Sequence, residues 1–402
     1  MAFITHFPAS IINLIFILTI SNIVSPMLGS LQTSGGATGG DDNGFEKWIS
    51  WHVQYYHSRK SSINNYLSND SMLMNDGKRE EDKRNGGSID EVLEIAEKNK
   101  SRIIVSQDGT ADVKTIKEAI ERIPWNNKFR VIVEIKPGTY WEQIIIPKIK
   151  PFITFEGSAN NLGEPAVAIK GNASVSGSRK TFDTATVAID SDYFRATNVK
   201  FENTFEHEEG SKGSQAVALR ISGTKASFLN CSFYGYQDTL YDHRGLHYFN
   251  NCFIQGSVDF ICGYGKSLYE NCIIKSVAKN EASVTAQRRS VPNNESGFSF
   301  KNCKVTGSGH AFLGRAWGTY SRVVFSYTFM DQLVLPEGWN DWGDKERQSK
   351  VYYGEYKCSG AGANMSKRVT WARRLTDEEA TPFLGTYFIN GDSWLLNKPP
   401  HI

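Results

Sequence analysis

The chain has almost no surplus of either charge: 45 Lys and Arg against 43 Asp and Glu, a net +2 over 402 residues. That excludes the basic footprint of a nucleic-acid binder. It also lacks a hydrophobic run long enough to span a bilayer. Ile11 to Val24 is apolar but interrupted by polar residues, and it falls short of the roughly 20 residues a spanning helix needs. We expect no stable membrane association. The run reads instead as the apolar part of a secretory signal over 1–29, with an uncleaved anchor as the alternative because no Lys or Arg precedes it. Cysteine is missing from the first 230 residues, and all 6 lie between Cys231 and Cys358. Residues 30–101 have little apolar periodicity. Their LQTSGGATGGDDNG and GKREEDKRNGG stretches are linker-like and solvated, and Trp48, Trp51 and Tyr55 make at best one short amphipathic helix. We expect a flexible segment there.

What is present is a core. Apolar residues make up 40% of the chain, with 9 Trp, 17 Tyr and 23 Phe. Aromatics suit stacking on sugars, although core filling is their commoner use. The folded domain is expected over 102–402. Val113, Ile116, Ile120 and Ile123 have helical spacing and Pro124 stops the helix, which would cover an open sheet end. Thr376 to Glu379 has the form of a capping box. Between these, short strands alternate with Gly, Pro and Asn turns.

The strands repeat. Cys231, Cys252 and Cys272 recur at 21 and 20 residues, and Asn230, Asn251, Asn271 and Asn302 each precede a cysteine. One polar residue at one phase suggests an asparagine ladder along a solenoid. Strands at this period without long intervening helices favour a parallel β-helix, an all-β fold. A β-sandwich is the alternative, but it leaves the common phase unexplained. Stacked cysteines would bond in an oxidising compartment, Cys231 with Cys252 first, or else fill the interior as small apolar groups. Asn-X-Ser/Thr triplets at Asn69, Asn172, Asn230, Asn294 and Asn364 fit a secreted glycoprotein.

Asp238 and Asp259 each lie seven residues after a cysteine of the repeat. On neighbouring coils they would stand about 5 Å apart, the spacing of strands in a sheet. Two carboxylates that close cannot both ionise freely, so they form an acid/base or nucleophile device. Gln215 precedes Gln237 by 22 residues and joins the same face, and Arg315 follows on a later coil. An ionised Asp can attack an ester carbonyl, a protonated one can donate to the leaving alkoxide, amides can bind the oxyanion, and a guanidinium can hold one carboxylate ionised. Taken singly, each residue has a blander use as a turn cap, ladder amide or surface ion pair. Their common register is what coincidence does not explain.

These stretches resemble the pectin methylesterase family. The resemblance runs from about Ile103 to the end, through DGTADVKTIKEAI, PGTYWEQI, FENTF, QAVALR, YQDTLY, VDFI, TAQ, LGRAW, PEGW and FINGDSWL. LGRAWG and GEYKC are most similar to the short-form, quartet-type subgroup. The resemblance implies a right-handed parallel β-helix (a pectin-lyase-like solenoid) with short capping helices. It makes Asp259 the nucleophile, Asp238 the general acid/base, Gln215 and Gln237 the oxyanion amides, Arg315 the residue that orients the nucleophile, and Trp317 an aromatic on the sugar chain; Gln215 and Arg315 also meet substrate. Tyr140, in GTYWE, has a structural place. No metal and no organic cofactor is implied. The implied partner is methyl-esterified homogalacturonan, acted on by a secreted monomer in the cell wall, with a separate proteinaceous inhibitor as a second partner.

The chain departs from that pattern in three places. Cys262-Gly-Tyr-Gly265 stands where the family has Phe-Gly-Asn-Ala, so the nucleophile's surroundings are expected to change and activity to fall. Ala316 replaces a proline before Trp317, so that turn is expected to be looser. The family's four-cysteine N-terminal bundle is expected to be absent. Two other functions compete: a β-helical lyase or polygalacturonase, for which the chain lacks a dense acid cluster, and a catalytically weakened pectin-binding protein, which only the 262–265 departures favour.

Overall fold

Mostly short strands, rich in Val, Ile and Phe and separated by turns, run from Ser101 to Arg374, with two long ones at Ile273–Gln287 and Lys304–Arg315. The computed structural model describes residues 89–176, 178–205 and 213–396. The signal, most of the flexible segment with Trp48, Trp51 and Tyr55, and the Asn69 triplet lie outside the described residues. The ladders between strands are parallel, so the chain winds as a β-helix with three faces. One face is an 11-stranded sheet from Ser101–Val105 to Arg373–Arg374. The other two form a 14-stranded sheet that doubles back through the long strand Ile273–Gln287. The second face holds strands such as Ser232–Tyr234 and Phe253–Gly256; the third holds Leu219–Ile221, Leu240–Asp242 and Ile261–Gly263.

The repeating asparagines make the corner between the first and second faces. Asn198, Asn230, Asn251, Asn271 and Asn302 all have left-handed backbone, φ between 49° and 58°. Asn tolerates this conformation far better than a branched residue does. Of the expected ladder, one rung is made: Asn230 Nδ2 donates to Asn198 Oδ1 at 2.7 Å. It donates again to Gly163 O at 3.0 Å, so the Asn230 amide is engaged on both sides.

Aromatics fill the interior in a continuous stack. Ring centroids of Phe228–Phe249, Phe249–Tyr269, Tyr269–Phe300 and Phe300–Phe325 lie 4.8, 4.6, 4.5 and 4.4 Å apart, with rings within 12° of parallel. In-register residues on parallel strands repeat at the strand spacing, and that spacing is itself close to the stacking distance of aromatic rings.

The cysteines also stack, but no disulfide forms. All six are free thiols. Residues in register on neighbouring strands keep about 4.8 Å between them, wider than the roughly 3.8 Å between Cβ atoms of a disulfide. The sulfurs donate instead to main-chain oxygens, Cys252 Sγ to Asn250 O at 3.4 Å and Cys272 Sγ to Glu270 O at 3.4 Å. Burial pushes the Cys231 thiol up to about 12, which leaves it an inert core group.

Helices close the ends. Helix α1 (Glu91–Lys98) lies in the stretch expected to be flexible. Leu93 and Ala96, at i and i+3, are buried in a cluster with Phe383, Phe388 and Trp394. It is held by polar contacts: Arg130 Nε to Glu97 Oε1 at 2.5 Å, Lys225 Nζ to Asp90 Oδ2 at 2.6 Å, and Asp90 N to Ser393 O at 2.8 Å. Helix α2 (Ile116–Arg122) follows the expected spacing, with Thr115 and Glu118 forming a capping box and Ile116, Ala119 and Ile120 buried on the first coils. Helix α3 (Asp377–Ala380) begins with the expected Thr376/Glu379 box. Among the described residues no helix is long and apolar enough to cross a membrane.

Candidate active site

The third face carries the site. Strands Leu240–Asp242, Ile261–Gly263 and the end of Ile273–Gln287 pair with Leu240 beside Ile261 and Ile261 beside Thr285. Asp238 and Asp259 each stand two residues ahead of their strand, so they are equivalent on successive coils. Both have left-handed backbone, φ 59° and 50°, and the turn aims them out of the barrel into a cleft of about 420 Å³. Gln215 and Gln237 sit one behind the other through a parallel bridge on the neighbouring coils. Arg315 ends the strand Lys304–Arg315, and Trp317 follows it. The structure therefore brings all six expected site residues, Asp259, Asp238, Gln215, Gln237, Arg315 and Trp317, to one cleft. Tyr140 lies apart in the core, its hydroxyl donating to Lys136 O at 3.0 Å.

The two carboxylates have unlike surroundings. Asp259 is 3% exposed. Arg315 grips it with both prongs of its guanidinium, Nε to Oδ1 at 2.9 Å and Nη2 to Oδ2 at 2.5 Å. Asp238 has no such partner; its main-chain N–H donates to Val258 O at 3.2 Å. Burial and then the neighbouring Asp259 charge push the Asp238 carboxyl well above the usual range, against a smaller pull from Arg315. One acid is clamped by a cation, and the other is raised by burial beside its neighbour's charge. Gln215 has a buried side-chain oxygen with no hydrogen-bond partner.

Several cleft residues were not visible in the sequence. Phe182 and Trp342 line it, beside Tyr241 of YQDTLY and the Cys262 already singled out, and Arg315 lies over the Trp342 ring at 4.4 Å. Ser283 Oγ donates to Asp259 Oδ1 at 2.6 Å and accepts from Asp259 N at 2.8 Å. An adjoining cleft of about 340 Å³ shares Tyr241 and is lined by His243, Arg244, Tyr264 and Arg288. Arg288 stacks on the Trp317 ring at 4.7 Å.

The departures leave this geometry whole. Cys262 is a buried small side chain on the cleft floor, in register with Tyr241 and Ala286, and every hydrogen bond to Asp259 is made beside it. Gly265 is required: a Cβ there would lie 2.0 Å from Asp242 Oδ1. That carboxylate accepts from Tyr269 OH at 2.6 Å and meets His247 Nδ1 at 2.5 Å. The turn at Ala316 is not loose. Its N–H donates to Asn340 O at 2.9 Å, a bond proline would lack, and Arg347 Nη1 bonds the Ala316 and Trp317 carbonyls.

A parallel β-helix with a carboxylate pair, two stacked side-chain amides and one carboxylate clamped by an arginine on one face defines a carbohydrate-esterase class of site. A pectinesterase family model matches residues 102–392. Pectinesterase QRT1 of Arabidopsis thaliana is 46% identical over 297 residues, covering 73% of this chain and 78% of that one. A pectin methylesterase from carrot superposes with TM-score 0.68 at 34% identity, over 73% of this chain and 94% of that one. A pectin methylesterase solved with a hexasaccharide gives TM-score 0.60 at 26% identity, over 74% and 98%. The chain belongs to the pectinesterase family, carboxylic ester hydrolases on a right-handed parallel β-helix.

Proposed function

We propose that this protein removes C6 methyl esters from homogalacturonan, with Asp259 as nucleophile and Asp238 as general acid and base. The observation that carries the assignment is the asymmetry of the pair: Arg315 grips both oxygens of Asp259 at 2.5 and 2.9 Å, while burial and the Asp259 charge raise the Asp238 carboxyl well above its usual range. Asp259 attacks the ester carbonyl carbon, and the amides of Gln215 and Gln237 receive the oxyanion. The C–OCH3 bond breaks, and methanol leaves with the Asp238 proton, giving an acyl anhydride on Asp259. Asp238, now a carboxylate, takes a proton from water. The hydroxide attacks the acyl carbon, the bond from that carbon to the Asp259 oxygen breaks, and the galacturonic acid leaves and gives its proton to solvent, with Asp259 again a carboxylate and Asp238 again protonated.

The cleft supports an acidic sugar polymer. Trp317 and Trp342 offer aromatic faces, and Lys180, Arg244 and Arg288 add positive charge along it. We infer secretion to the wall from the leader-like 1–29 stretch, with a monomer as the working form; an inhibitor protein would have to cover the same cleft. The test is methanol release from highly methylated pectin. Asp259→Ala should lose on the order of 10⁴-fold in kcat while its melting profile stays cooperative. An active Asp259→Ala variant would sink the assignment.

A further inference from the structure

The column that holds the two acids has a third member. Asp238, Asp259 and Ser283 each stand two residues ahead of in-register strand residues Leu240, Ile261 and Thr285. Ser283 is 2% exposed. A hydroxyl carries one hydrogen, and here its direction is determined. The oxygen accepts from the Asp259 main-chain N–H at 2.8 Å, so the hydrogen goes to Asp259 Oδ1 at 2.6 Å. Ser283 thus ties the side chain of Asp259 to its own backbone.

The two carboxylate oxygens become unlike as a result. Oδ1 accepts from Ser283 Oγ and from Arg315 Nε; Oδ2 accepts from Arg315 Nη2 alone. Each donated bond draws electron density from the oxygen that accepts it and occupies a lone pair. We propose that Ser283 is a positioning residue that fixes Oδ1 and leaves Oδ2 as the oxygen that attacks the ester. This rests on Asp259 being the nucleophile. Arg315 reaches both oxygens, at 2.9 and 2.5 Å, so the bond that only Oδ1 receives is the one from Ser283. Ser283 also acts on ionisation, because a hydrogen bond to the charged form favours that form. The ionisable groups facing Asp259 are Asp238, Arg315, Cys262 and Tyr353. Burial raises the last two far above the working range, and they stay uncharged.

The experiment compares the full chain with Ser283→Ala and Ser283→Thr, reading kcat, KM and the pH profile of methanol release from methylated pectin. Ser283→Ala should lower kcat about tenfold to a hundredfold, the range for one lost charge-assisted bond. KM should not change, and the acid limb of the kcat profile should move to higher pH. Ser283→Thr, which keeps the hydroxyl, should restore both. A purely structural serine would lower the melting temperature and the active fraction but leave the acid limb in place. Wild-type kcat and acid limb in Ser283→Ala overturn the inference, as does a folded Ser283→Thr that restores neither. If Ser283→Ala does not fold, Ser283→Cys, with its weaker donor, carries the same comparison: an upward shift supports the role, and a wild-type limb overturns it. Asp259→Ala is run alongside. Should it keep wild-type release, the nucleophile assignment fails; should it be dead while Ser283→Ala is normal, only the role of Ser283 fails.

Discussion

Asp238 and Asp259 are the same residue of successive coils, equal in backbone (φ 59° and 50°) and in distance from their strands, and unlike only in what surrounds them. The backbone does not distinguish the two carboxylates; Arg315 and Ser283 do, by bonding Asp259 and not Asp238.

The protonated state of Asp238 has a signature in stability. Its pKa in the folded protein is raised well above the unfolded value, which is near 4. Between those two values the folded state holds a proton that the unfolded state has lost, so stability falls as pH rises through that window, by about 1.4 kcal/mol per pH unit at most. Asp238→Asn should flatten this slope and melt higher than wild type at neutral pH, while kcat drops about 10² to 10⁴-fold. Melting curves from pH 4 to 8 read the first and methanol release the second. Parallel melting slopes in the two proteins would show that Asp238 is not held protonated.

Arg315→Lys keeps the charge and loses the fork. An ammonium is a point charge and cannot hold Oδ1 and Oδ2 in one plane as Nε and Nη2 do. The contact over Trp342 at 4.4 Å weakens as well. We expect kcat to fall about tenfold to a hundredfold with a smaller change in KM. Equal kcat would mean that charge alone suffices.

Much of this site was legible because a solenoid converts sequence period into position. Asp238 and Asp259 each follow a corner cysteine by seven residues, so their stacking could be read from the chain. Ser283 has the same place one coil on, yet follows Cys272 by 11 residues. The strand Ile273–Gln287 has a register shift between Val277 and Glu281, and that local excursion breaks the count. The free cysteines were misjudged for a related reason: phase shows which residues stack, not whether their Cβ atoms come close enough to bond. Helix α1 was missed although Leu93 and Ala96 bury one face of it: the charged stretch ahead of it reads as linker, and its docking also runs through Asp90 and Glu97.

Gly265 tests whether the departures after the nucleophile are a lesion. If they were, restoring Ala should raise activity. The structure gives the opposite expectation. A Cβ at 265 meets Asp242 Oδ1 at 2.0 Å and Ser267 Oγ at 2.8 Å, inside a site where Asp242, His247 and Tyr269 are wholly buried. Something must move, and the buried Asp242 bonds are what would be lost. Gly265→Ala should cost about 1–3 kcal/mol of stability, seen as a lower melting temperature. The folded fraction should keep wild-type kcat, because Asp242 touches neither Asp238 nor Asp259. A variant that melts as wild type and releases methanol faster would identify position 265 as a weakening change.

Ala316→Pro makes the same argument at the other side of the cleft. The Ala316 N–H donates to Asn340 O at 2.9 Å, and this bond continues the pairing that sets Arg315 beside Asn340. Proline removes the donor and leaves the Asn340 carbonyl without that partner, a loss of about 1 kcal/mol. Its ring must also fit where Ala316 is wholly buried. Arg347 still holds the carbonyls of Ala316 and Trp317, so the turn is not expected to open. The consequence falls on the residue before it. A small shift of Arg315 disturbs two bonds to Asp259 at once, and kcat should therefore fall more than the stability does, with KM for pectin held by Trp317 nearly constant. Thermal melts and steady-state kinetics on the one variant separate these effects. A proline variant that melts higher and turns over at the wild-type rate would show that the hydrogen bond to Asn340 contributes nothing to the placement of Arg315.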